Sequence, residues 1–163
     1  MSMIGNVRRV ADERLKKLLE NAEAAEDFFE EDEDRSSVLD LDKEWHGLQF
    51  LLTGTAWEGA APLNFLVGGG KELDNDMGYG PPRAFSNVEV RTLARALESL
   101  TRDILSKRFD PKAMTAAEIY PAIWNRADEE AENREYLLRS FERLKTFVTA
   151  AAEAGDGLLV YLT

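Results

Sequence analysis

Apolar positions recur along this chain in two periods, and they predict a helix-rich α+β domain with a small sheet. Residues 4–10 are short and β-leaning, and the adjacent Arg8 and Arg9 suit a strand near a sheet edge. Asp12 is placed to cap a helix whose Leu15, Leu18, Leu19 and Ala22 fall on one face. Leu41, Trp45, Leu48 and Leu52 form a second helical stripe, with Asp40 or Asp42 as its cap and Gly54 at the left-handed position that ends it. Ser86-Asn87-Val88-Glu89 is an S-x-x-E capping box, and Phe85 and Val90 stand at the two positions of a hydrophobic staple. That helix continues through Leu93, Ala94 and Leu97. Thr101 caps another short helix, and Thr115-Ala116-Ala117-Glu118 reads as a second capping box, cut short by Pro121. Asp128 opens the longest helix, with the stripe Leu137, Phe141, Leu144, Val148 and Ala151, and Gly155 and Gly157 end it. Leu158 to Leu162 is a continuous apolar run, read as a buried strand. The sheet is therefore expected from the two chain ends, with residues 82–85 as a further candidate, and pairing of the ends would staple the chain closed.

Two segments interrupt the periodic pattern. From Glu20 to Asp34 nine residues are acidic and none is basic. Its first half can continue as helix, anchored by Phe28 and Phe29. Residues 30–37, including Asp32 and Glu33, are expected to be a mobile loop, so that 20–37 forms an acidic, partly mobile segment. Residues 58–83 are irregular and rich in glycine and proline, with Leu63 to Val67 as a short helical turn or strand. Phe65, Leu66, Met77 and Tyr79 argue that this stretch is ordered, and a long ordered stretch without regular structure is a place to look for function.

Composition then narrows the chemistry. A length of 163 residues suits one domain over 1–163, and 44% apolar residues suffice for one core. No cysteine is present, which excludes disulfides, thiolate catalysis and sulfur-based zinc sites. The first residues lack a basic-then-apolar signal pattern, and no apolar run approaches the roughly 20 residues needed to cross a bilayer. A soluble, cytoplasmic protein is expected. The net charge of −11 should repel nucleic acids and anionic membranes, so neither is expected as a partner.

Several blocks in order resemble the YfbM-like family: Ser2-Met3-Ile4-Gly5-Asn6, Leu39-Asp40-Leu41-Asp42-Lys43-Glu44-Trp45 leading to Leu51-Leu52-Thr53-Gly54, and Gly78-Tyr79-Gly80-Pro81-Pro82-Arg83. Ile119-Tyr120-Pro121-Ala122-Ile123-Trp124 and Leu158-Leu159-Val160 follow. The resemblance spans almost the whole chain. It implies a single bacterial α+β domain and brings with it no activity, cofactor or catalytic residue.

The residues exclude more than they assign. Gly70-Lys71 fails as a phosphate loop, because Glu72 stands where Ser or Thr is required. Gly68-Gly69-Gly70 is not a dinucleotide fingerprint. Asp74 to Gly78 begins like a calcium loop but has Gly78 at the fifth position and Phe85 at the twelfth. No metal and no cofactor are expected. His46 is the single histidine, so any histidine-based catalysis must use it; a partly exposed helix residue is the plain alternative. In Gly78–Arg83, two prolines and two glycines can hold Tyr79 and Arg83 in fixed directions, and Arg83 could grip a carboxylate or phosphate. The plain alternative is that Arg83 pairs with an internal carboxylate or with backbone carbonyls and that Tyr79 packs under the loop. Tyr120 and Trp124, with Trp45 and Trp57, could line an aromatic pocket or simply be core. Asp40 and Asp42 are read as caps, and the acidic run as a solvated face or a docking surface for a basic protein.

Two functions compete at this stage, beside a third reading as an acidic nucleic-acid mimic, which needs the negative charge arrayed over one rigid face. The preferred one is a binding or accessory module for a protein or small molecule, an immunity-type protein being one version, with Trp45, His46, Tyr79, Arg83, Tyr120 and Trp124 around one concavity. The other is a small hydrolase or transferase using His46 or a carboxylate near Arg83. A homodimer stays open.

Overall fold

The computed structural model describes residues 2–31 and 34–163. Its centre is an antiparallel sheet in the order β2-β1-β5-β4-β3, formed by β1 (Gly5–Ala11), β2 (Val38–Asp42), β3 (Lys71–Glu72), β4 (Arg83–Phe85) and β5 (Asp156–Leu162). The two chain ends pair along their full length, from Gly5 opposite Leu162 to Ala11 opposite Asp156, and two further bonds tie Ile4 to Thr163. β1 is therefore not an edge strand. Its arginines are accommodated individually: Arg8 lies over the Phe28 ring at 3.9 Å, and Arg9 binds Asp156 at 2.9 Å.

Both faces of β5 are covered, which explains its unbroken apolar run. Leu158 and Val160 face the larger core with Val7, beneath α3 (Trp45–Thr53), α4 (Asn87–Glu98) and α7 (Glu130–Ala154). Leu159 and Tyr161 face a smaller core with Val10, Leu15, Leu18, Ala25 and Phe28, under α1 (Asp12–Glu20) and α2 (Ala22–Glu30). α5 (Arg102–Arg108) and α6 (Pro111–Ala116) complete the helices of the described residues. The result is one helix-rich α+β domain.

Several local expectations are corrected. Asp12 does not cap its own helix; its carboxylate accepts the Asn87 N–H at 3.0 Å, at the start of α4, and this contact lowers its pKa. The first helix stops at Asn21, which is extended and caps α2 through the Ala24 N–H, so Leu19 and Ala22 are exposed. Asp40 and Asp42 cap no helix. They belong to β2, where Leu39 and Leu41 alternate inward, and the Asp40 carboxylate accepts the Asp42 N–H at 2.7 Å. The helical stripe begins only at Trp45. The second capping box does not form, because Asp110 with Pro111 at the first helical position starts α6 earlier and leaves Thr115 in its last turn. α7 is entered through a 3-10 turn at Ala127–Glu129. Leu63 to Val67 is a turn, with Val67 and Gly68 donating to the Asn64 carbonyl. Asp32 and Glu33, in the expected mobile loop, lie outside the described residues; next to them, Asp34 accepts from Ser36 and a short 3-10 turn leads into β2.

Candidate functional site

His46 lies in the first turn of α3 and is 1% exposed. The Tyr120 N–H donates to its Nδ1 at 2.8 Å, and Nε2 meets the Ala56 carbonyl at 2.9 Å. A backbone N–H can only donate, so Nδ1 must accept and the ring proton sits on Nε2. Burial pushes the imidazole below its ordinary pKa and keeps it neutral. Both nitrogens are thus engaged in joining α3 to the 55–58 loop and to the turn at Tyr120. The plain alternative to catalysis is also corrected, since the ring is not partly exposed.

The ring stacks on Trp45 (4.7 Å, 13°) and meets Trp57 at 4.4 Å, while Trp45 stacks on Tyr120 at 6.1 Å. Trp45 Nε1 donates to the Met3 carbonyl, and the Tyr120 hydroxyl accepts the Met3 N–H. Three of the six sequence candidates, Trp45, His46 and Tyr120, therefore converge, together with Trp57. The loop that carries Trp57 is fixed by Gln49, whose amide donates to Thr53 Oγ1 and the Glu58 carbonyl. Trp124 is buried, donates to the Ile119 carbonyl at 2.8 Å, and shares with Tyr120 a pocket of about 260 Å³.

Arg83 and Tyr79 are not part of that cluster. The Arg83 guanidinium donates to the carbonyls of Gly68, Gly69 and Phe65, the last at 2.9 Å, and burial lowers its pKa to about 10. Its donors face the protein's own backbone. Tyr79 stands on the turn at Gly78–Gly80, partly exposed.

What Arg83 builds is the wall of a cleft. The 61–70 turn, held by those three bonds, faces the first half of α4 across a space of about 240 Å³. Pro62, Phe65, Phe85, Val88 and Leu93 supply its apolar lining, with Phe65 and Phe85 edge to face at 6.4 Å. Val88 is 59% exposed at its mouth. Gly70, at φ +73°, brings the wall so close that a Cβ would lie 2.8 Å from the Ala84 carbonyl. Asn64, Glu89 and Thr92 supply the polar groups.

Sequence reasoning missed this cleft. Phe85 and Val88 were visible as parts of a helix start, but no local pattern says that a turn twenty residues earlier folds against them. It also missed Glu44, which is 5% exposed beside Tyr136 and Ser140, with its carboxyl raised above the usual range chiefly by burial. Among the described residues no three His, Cys, Asp or Glu side chains gather as a metal site, and no helix is long and apolar enough to cross a membrane.

Comparison with known proteins supplies a family. Residues 1–161 match the profile of a domain of unknown function, DUF1877. The protein YfbM of Escherichia coli K12 is 32% identical over 148 residues, which cover 88% of each chain. The crystal structure of YfbM from Escherichia coli, described as a protein of unknown function, superposes with a TM-score of 0.77 at 28% identity, over 98% of this chain and 99% of that one. With a family match over residues 1–161 and near-complete coverage of its relative, the chain belongs to the YfbM-like family defined by this domain of unknown function, DUF1877.

Proposed function

We propose that this protein is a cytoplasmic small-ligand binding module whose ligand sits in the cleft between the 61–70 turn and α4. The observation that carries the reading is the construction of that cleft. A half-buried arginine with three carbonyl contacts holds one wall, and a capped helix forms the other. Such a preformed apolar space with a few polar groups is what small-molecule sites look like. The side chains able to do chemistry point the same way. A hydrolase or transferase built on His46 needs a free ring nitrogen, and both are engaged with backbone. Arg83 has turned its donors inward, so it does not offer them to an anionic substrate.

A fragment screen read by protein NMR tests the proposal. Hits should shift the amides of Phe65, Gly69, Gly70 and Val88. Val88→Trp, which fills the cleft from an exposed position, should remove them while the spectrum stays folded. Hits that survive Val88→Trp, or a screen with none in the cleft, would overturn it.

A further inference from the structure

We propose that the cleft selects a ligand with one apolar ring and a short arm ending in an amino group. This inference rests on the cleft being the ligand site. Volume sets the ring count. An apolar cavity of about 150 Å³ holds one benzene. The space of about 240 Å³ therefore takes one ring and an arm of a few atoms, and not a nucleotide or a fused polycycle. Phe65 and Phe85, edge to face with each other, supply aromatic carbon to the wall it would pack against.

The polar groups set the arm. Glu89 is the only charged side chain in the lining. Its Oε1 accepts the Ser86 N–H at 3.1 Å, while Oε2 makes no hydrogen bond among the described residues. Thr92 Oγ1 donates to the Val88 carbonyl at 3.2 Å, so it presents lone pairs to the cleft. The side-chain amide of Asn64 adds one acceptor and one donor. The one charged side chain of the cleft is thus negative and has a free carboxylate oxygen, which favours a cationic N–H donor and disfavours a carboxylate.

A helix N-terminus normally attracts anions, and α4 starts beside this cleft. Here three of its donors are engaged, and among the described residues only the Val88 N–H of the first turn is left open. The Asn87 N–H donates to Asp12, the Glu89 N–H to the Ser86 hydroxyl, and the Val90 N–H to the Ser86 carbonyl. Two carboxylates, Asp12 and Glu89, also stand at that end. The two negative charges therefore oppose the usual anion preference.

Three probes of matched shape separate the claims: 2-phenylethylamine, 2-phenylethanol and phenylacetate, each titrated into the intact protein by NMR. The amine should move the amides lining the cleft and bind about threefold more tightly than the alcohol, a difference that one exposed ion pair supports. Phenylacetate should bind most weakly. Glu89→Gln keeps the capping box, which accepts Gln in that position, and should bring amine and alcohol to parity while the ring still binds. If amine and alcohol tie in the wild type, or if the amine preference survives Glu89→Gln, the inference fails although the cleft remains a ligand site. If none of the three moves these amides, the inference and the cleft reading fall together.

Discussion

At the scale of the residue, two buried titratable side chains carry opposite pH signatures. His46 is held neutral, below its ordinary pKa of 6.5. A depressed histidine pKa means that the unfolded chain takes up the proton first. The stability His46 contributes is complete above about pH 6.5 and is lost as pH falls through the folded-state value. Protonation would also set an Nδ1–H against the Tyr120 N–H. The melting temperature should therefore drop on acidification from pH 7, and His46→Phe should flatten part of that drop. The variant should also cost roughly 3 kcal/mol at neutral pH, because the Tyr120 N–H and the Ala56 carbonyl lose their partner. A variant as stable as wild type in urea would refute the bridging role. Glu44 has the reverse sign. Its pKa is raised above 4.5, so its favourable contribution is present at low pH and is lost as pH rises through the folded-state value. Glu44→Gln should gain stability relative to wild type as pH goes from 4 to 7, measured by paired thermal melts.

At the scale of the element, Arg83 decides whether the 61–70 turn has one position. Three carbonyls accept from one planar guanidinium, a geometry the single ammonium of lysine does not reproduce. Arg83→Lys should cost about 3 kcal/mol and speed hydrogen exchange at Val67 and Gly68 while leaving α7 protected. Uniform exchange across the chain would show that the turn and the core do not separate. The arginine also explains a split in what was legible. Its type and the rigidity of its Gly-Pro flanks were readable from sequence, as was the alternative that it would bind carbonyls. Which carbonyls it meets depends on a turn fifteen residues away.

At the scale of the whole molecule, the last strand is the central one. β5 joins β1 on one side and β4 on the other, so residues 5–11 and 83–85 share a sheet only through it. Removal of residues 156–163 should therefore abolish cooperative unfolding, and a truncated chain with a sharp circular-dichroism melt would contradict this topology. Gly5 marks how tightly the sheet and α3 meet at the other chain end. A Cβ there would lie 2.5 Å from Trp45 Cβ, and Gly5→Ala should cost about 1–3 kcal/mol in a urea titration.

The division between sequence and tertiary structure follows from the range of the forces involved. The capping box at Ser86, the stripe of α7, the left-handed Gly54 and the apolar run of β5 were determined by sequence alone, because each depends on neighbours within a turn or on a repeating period. The caps assigned to Asp12, Asp40 and Asp42 failed for the complementary reason. An aspartate at a plausible position serves whichever N–H the fold brings to it, and for Asp12 that was Asn87, 75 residues on. The candidate site divides in the same way. Aromatic residues and a fixed loop were visible along the chain. Only the folded molecule put His46 between two backbone groups, turned Arg83 inward, and set the 61–70 turn against α4, because contacts between distant segments leave no period in the sequence.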